Sequence, residues 1–319
     1  MIGSRRRALL AGGLALAGLG ACAALRFGTD PALPQPPLSL PPDAGLESRG
    51  GLLLNRHAIG FGGLSGLHIA DDLTLTAISD LGYWLQARLV LDATAQPRTL
   101  EAIRTGRLRS GFVLPPPAPL RRDAESLARL PDGTWLVGFE RWHHICLYRR
   151  LDEPCEVLAA PPPGLSQAPV NGGLESLTVL PDGRWLAITE GLLAGAGPLR
   201  RGWIGEPGRW TPLRYRPSPG FVPTDLCALP EGGALVVERR FKLREGGFSG
   251  RLLRIPAAQL AHPAPENVLE PEPLLLDLPH ENWEGVSCFR HAGRLWVALM
   301  ADDNEMFFQR GLLLLFTLR

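Results

Sequence analysis

From Glu47 onward the chain alternates short apolar segments, mostly five to seven residues long, with turns rich in Pro, Gly and Asp. Segments of that length with β-branched and aromatic content predict strands, and amphipathic runs of helical period are scarce. One pattern dominates. Ala124-Glu125-Ser126-Leu127-Ala128-Arg129-Leu130 leads through Pro131-Asp132-Gly133 to Trp135-Leu136-Val137-Gly138-Phe139-Glu140, and fifty residues later Leu174 to Glu190 repeats it almost intact. Weaker copies run from Gly63 to Asp80, from Thr224 to Glu238 and from Glu284 to Leu299. Each is a hairpin in which Pro presets the first corner and Gly supplies positive φ.

Two more strand-like stretches follow the hairpin in the middle units, such as Ile145–Tyr148 and Glu156–Leu158, or Gly202–Gly205 and Trp210–Arg214. Four strands per fifty to sixty residues is the period of a propeller blade. The fold expected is therefore an all-β propeller of five four-stranded blades, six being the alternative should a long insertion hide a degenerate unit. The last unit is one strand short, and Gly51-Leu52-Leu53-Leu54-Asn55 can complete it and remove the open edges. A β-sandwich would leave the period unexplained.

The first residues read as a targeting segment. Ser4-Arg5-Arg6-Arg7 precedes an apolar run from Ala8 to Ala21, too short to span a hydrocarbon core of about 30 Å. It resembles a twin-arginine export signal, and Leu19-Gly20-Ala21-Cys22 resembles a lipobox in which Cys22 would be acylated. The expected organisation is an export signal with lipobox over 1–22, a Pro-rich tether over 23–46 and one propeller over 47–319, anchored at the periplasm or cell envelope. Cleavage near Ala23 to give a soluble periplasmic product is the alternative. Without Arg5, Arg6 and Arg7 the chain has 30 basic residues of the original 33 against 32 acidic ones, and no basic stripe points to nucleic acid. Cys146 and Cys155 flank a turn and can pair in an oxidising compartment, whereas Cys227 and Cys288 read as buried free thiols.

In an antiparallel hairpin the start of the first strand and the end of the second share one edge. Strand starts carry Glu125, Glu175, Glu284 and, one residue on from Thr224, Asp225; strand ends carry Asp80, Glu140, Glu190, Glu238 and Asp302. If the hairpins are innermost, nine carboxylates crowd one rim. Two like charges at 4 Å cost about 1 kcal/mol in water and about 4 kcal/mol at an effective dielectric of 20, so compensation is required. It can come from arginine, from retained protons, or from a hard cation, of which Ca²⁺ suits an exported protein. Arg141, Arg239, Arg240 and Lys242 follow the second strands as internal alternatives or anion-gripping groups. His143 and His144 lie in a loop leaving the same rim, and His143 is a candidate general acid. Ser126 and Ser176 lack a nucleophile-elbow context.

Gly62-Gly63-Leu64-Ser65-Gly66-Leu67, Ala77-Ile78-Ser79-Asp80, the Glu-Ser-Leu units, Glu238-Arg239-Arg240-Phe241, Gly247 to Leu252 and Asn282-Trp283-Glu284-Gly285-Val286 together resemble the phytase-like family described as having esterase-like activity of phytase. The resemblance spans roughly residues 59–305. It implies a propeller and ester or phosphoester hydrolysis, with calcium over an acidic mouth.

The functional expectation is a metal-assisted hydrolase of a small anionic phosphate or carboxylic ester. Glu175, Glu125 and His143 are assigned to acid–base work, and Asp80, Glu140, Glu190, Glu284 and Asp302 to the metal. Arg239, Arg240, Lys242 and Arg141 are assigned to the substrate. A non-catalytic propeller lipoprotein that binds a ligand or partner is the second reading.

Overall fold

The computed structural model describes residues 28–111, 123–304 and 309–319. Cys22 and the export segment lie outside the described residues. Among those described, no helix is long and apolar enough to cross a membrane.

Five sheets form the five blades of a propeller. Blade one holds β3 (Leu64–Ile69), β4 (Thr74–Ser79), β5 (Tyr83–Leu91) and β6 (Pro97–Arg107). Blade two holds β7 (Ala124–Arg129), β8 (Trp135–Phe139), β9 (His144–Tyr148) and β10 (Val157–Leu158). Blade three holds β11 (Ser176–Val179), β12 (Trp185–Leu193), β13 (Arg200–Glu206) and β14 (Arg209–Tyr215), with β18 (Asn267–Leu269) added in parallel at its outer edge. Blade four is β15 (Val222–Ala228), β16 (Ala234–Lys242), β17 (Gly247–Ile255) and β19 (Glu272–Leu278). Blade five is β20 (Asn282–His291), β21 (Arg294–Asp302) and β22 (Leu312–Leu318), completed by the N-terminal β2 (Leu46–Leu54).

The closing strand is the one the sequence offered: Leu52 pairs with Leu313 and Leu53 with Leu312. Part of the segment read as a tether is structured, since β1 (Ala32–Gln35) adds a fifth strand beside β2. Ala32 is buried against blade five while Pro34 is exposed at the edge.

The innermost strands β3, β7, β11, β15 and β20 touch in cyclic order. Apolar residues at the inner faces fill five junction cores, one per pair of adjacent blades: Leu127 and Val137 meet Ile78 and Trp84, and Leu177 and Ala187 meet Ala128 and Leu136. The hydroxyls of the repeat join the same junctions. Ser65 Oγ donates to the carbonyl of Ala124 (2.5 Å), Ser126 Oγ to that of Leu174 (2.8 Å) and Thr224 Oγ1 to that of Trp283 (2.8 Å). Ser126 is thus a strut between blades, whereas Oγ of its counterpart Ser176 is buried with no hydrogen-bond partner among the described residues. Cys146 and Cys155 are joined as a disulfide within blade two.

Candidate functional site: an acidic cavity at the ring axis

Because the hairpins are innermost, their rim ends converge. They enclose a cavity of about 220 Å³ lined by Asp80, Asp123, Glu125, Glu140, Glu175, Glu190, Glu284 and Asp302, with Arg141 and Arg239. Seven of the nine carboxylates expected at the rim line it. The two absent ones are explained by strand alternation. Glu238 precedes the rim position by one residue and so points to the opposite face, where it is fully buried and accepts hydrogen bonds from Tyr215 Oη (2.7 Å) and Ser218 N (3.1 Å). Asp225 is buried in the junction, accepting from Leu226 N and Val286 N, each at 2.8 Å.

The position vacated by Glu238 is taken by Arg239. Its guanidinium donates to Glu284, to Glu190 (3.1 Å) and to Asn282 Oδ1 (2.5 Å), and lies 4.0 Å from Glu175. Arg239 is therefore an internal counter-ion, not a free grip for substrate, and these carboxylates hold its proton more firmly than usual despite burial. Arg240 and Lys242, both assigned to substrate from sequence, do not line the cavity. They continue β16 outward and share Glu245, at 2.7 and 2.8 Å. Arg141 does line it, in a left-handed backbone conformation (φ 57°) and paired with Asp123.

On the opposite wall, Asp123, Glu125 and Glu140 each place an oxygen within 4.8 Å of the others. Asp123 was not singled out from sequence. Its signal was its place two residues before Glu125, where the last unit has Asn282 before Glu284. Glu140 Oε1 is fixed by the backbone amides of Gly172 (2.6 Å) and Gly173. Gly172 has φ 146°, and a side chain on Gly173 would collide with the His143 ring. His143 consequently sits beneath this loop, 3.3 Å from the Ala168 carbonyl, and is not among the cavity-lining residues. His144 is turned the other way, stacked on Phe139 at 4.6 Å, and burial lowers its pKa.

Burial and charge crowding raise several of these carboxyls, two that Arg239 contacts among them. Burial, followed by the charges of Asp123, Glu284, Glu140 and Asp80, pushes the Glu125 carboxyl well above its usual range. Burial and then the charge of Asp303 raise Asp302 to about 7. Glu284 rises to about 8, chiefly from burial, with Arg239 opposing and Asp302 adding to the rise. Glu175 is raised by burial and Glu190, partly offset by Arg239. Asp302 Oδ1 is buried without a hydrogen-bond partner among the described residues. An all-oxygen donor set of this kind fits Ca²⁺ or Mg²⁺.

A larger cavity of about 340 Å³ opens at the other end of the ring, between blades one and two, and is lined by Arg104, Arg129, Arg149 and Arg150 with Trp84 and Trp135, against two carboxylates, Asp72 and Asp152.

Solved structures with a similar course of chain include a putative gluconolactonase (11% identity, 87% of this chain and 93% of that one, TM-score 0.43). Others are a luciferin-regenerating enzyme (11%, 80% and 91%, 0.40) and the β-propeller domain of Cps50 from Myceliophteria thermophila (11%, 91% and 100%, 0.40). No curated protein matches the chain. The profile of the phytase-like family, described as esterase-like activity of phytase, matches residues 59–305, and the chain belongs to that family.

Proposed function

We propose that the protein is a hydrolase of small anionic esters, phosphate or carboxylic, working at the acidic cavity with a divalent cation held by Asp123, Glu125 and Glu140. The carrying observation is the meeting of eight carboxylates with only two arginines around one 220 Å³ cavity, three of the carboxylates within 4.8 Å of each other. Such a cavity repels an anionic substrate unless positive charge is added. A bound divalent ion polarises the ester oxygen and lowers the pKa of a water.

The chain's own groups divide the remaining work. Arg141, at the cavity wall, meets the anion. Glu175, whose carboxyl burial and the Glu190 charge push above its usual range, is the group assigned to donate a proton to the leaving oxygen. Arg239 fixes Glu190 and Glu284 so that the lower wall does not move. Export and a lipid anchor at Cys22 would place this chemistry at the cell envelope, and they belong to the same reading.

The test is hydrolysis of p-nitrophenyl phosphate and p-nitrophenyl acetate by purified protein with Ca²⁺, with Mg²⁺ and with chelator. Turnover that needs metal and falls at least ~100-fold in Glu175→Gln is expected, the range of lost acid–base catalysis. Absence of turnover on both esters with either metal would leave a ligand-binding propeller as the better account.

A further inference from the structure

One feature of the blade junctions is chemically unlike the rest. Between blades three and four, Thr178 Oγ1 accepts a hydrogen bond from Ala228 N (3.1 Å), and between blades five and one, Ser287 Oγ accepts from Ile69 N (2.8 Å). Thr178 stands three residues before the turn proline Pro181, and Cys227 stands three before Pro230. At the junction of blades four and five, then, Cys227 takes the place of the hydroxyl. It faces Cys288 at an Sγ–Sγ separation of 2.6 Å. Carbon atoms out of bond contact sit about 3.5–4.0 Å apart and sulfur is larger, whereas a disulfide is about 2.05 Å long. Two thiols do not rest at 2.6 Å. The strands that carry them are held together by Thr224 to the Trp283 carbonyl and by Asp225 to Val286 N, which keeps the two sulfurs facing each other.

We infer that Cys227 and Cys288 are a covalent modification site, closed by a disulfide-donating oxidant into a second disulfide that ties blade four to blade five. The half-buried Cys288 is the point of entry. Its thiolate attacks the donor disulfide, one donor thiol leaves, and Cys227 displaces the second. The protein loses two protons and two electrons, and the donor is released as two thiols. Burial raises the Cys227 thiol pKa, so its step is the slow one. The bond would lock the strand that presents Glu284 to the cavity, four residues from Cys288 in sequence.

The test is non-reducing peptide mapping of folded protein treated with oxidised glutathione, alongside thiol titration in denaturant. A Cys227–Cys288 linked peptide is expected, with both thiols lost and recovered on reduction, and an unfolding temperature higher in the oxidised form. Cys227→Ser supplies the hydroxyl used at two of the other junctions. It should fold, leave Cys288 titratable and show no redox dependence of its unfolding temperature beyond that of Cys146–Cys155. Cys227 and Cys288 both remaining free after such treatment, or pairing with other cysteines, would overturn the inference.

The basic cavity carries a second, independent inference. Arg104 and Arg129 lie over the rings of Trp84 and Trp135, 5.9 and 4.9 Å from the centroids, and Arg149 lines the same space. Arg104 shares Asp152 with Arg150, and Arg149 meets Glu156 at 3.3 Å, but Arg129 has no carboxylate within ion-pair distance among the described residues. We propose that this cavity binds a small multivalent anion bearing phosphate or carboxylate groups, with Arg129 as the principal contact. Calorimetry with pyrophosphate and with citrate, in chelator so that a metal-loaded acidic cavity cannot contribute, tests this and separates the two chemistries. Binding weakened at least tenfold by Arg129→Gln and unchanged by Glu140→Gln is expected. No binding of either anion, or binding indifferent to Arg129→Gln, would overturn it.

Discussion

Arg239 and Glu190 meet across two blades at 3.1 Å, and this pairing divides the acidic cavity into two chemically different halves. Glu175, Glu190 and Glu284 surround one guanidinium, which offsets part of their charge. Asp123 has Arg141, but Glu125 and Asp302 face mainly other carboxylates. Glu125 is also one of the three whose oxygens converge.

Removing Arg239 should expose this division. Arg239→Met leaves three carboxylates without their counter-ion, and breaking a buried pair from one side costs about 3–5 kcal/mol. Chemical denaturation should show a loss of that size in chelator, with a raised affinity for Ca²⁺ as the ion takes over the vacated charge.

Cation binding should stabilise the fold through the opposite half. With Ca²⁺ at 100 times its dissociation constant, the gain is about 2.7 kcal/mol. Glu140→Gln keeps an oxygen for the Gly172 and Gly173 amides yet removes one charge, so differential scanning fluorimetry should show a folded variant whose transition no longer rises with Ca²⁺.

Stability in chelator should fall as pH rises. Glu284 and Asp302 have folded pKa values raised to about 8 and about 7, above their unfolded values of 4.5 and 3.8. The folded state therefore binds more protons than the unfolded state between pH 4 and 8. The stability this confers is fully present below pH 4 and is lost as pH passes through 7 and 8. Unfolding temperatures measured from pH 5 to 8 should decline with chelator and decline less with Ca²⁺. A flat or rising profile in chelator contradicts the raised values.

Ser126→Ala should separate strut from nucleophile. It leaves the Leu174 carbonyl unsatisfied in the junction, at a cost of about 1–3 kcal/mol. Any esterase turnover should persist at a temperature where the variant stays folded, whereas removal of a nucleophile costs several orders of magnitude.

Much of the architecture was legible because it is written locally. The Pro-Asp-Gly turns, the fifty-residue period from Glu125 to Glu175 and the apolar Gly51–Leu54 segment each state their role within a few residues. Ala32–Gln35 was harder, since a Pro-rich stretch carries little strand pattern and pairs only because the closed blade offers it an edge. For the site, the rim position of seven carboxylates followed from hairpin geometry. The fate of Glu238 and Arg239 turned on a one-residue phase that flips a side chain to the other face, and His143 on the packing of its ring against Gly173.

The sequence by itself determined the repeating hairpin, a ring of five or six blades and the crowding of acids at one end, because turn chemistry and strand alternation act over short distances. Only the tertiary structure decided which acids share Arg239, which stand together with Asp123, and that Cys227 meets Cys288. Those pairings join residues tens of positions apart, and their distances are set by how neighbouring blades pack around a common axis.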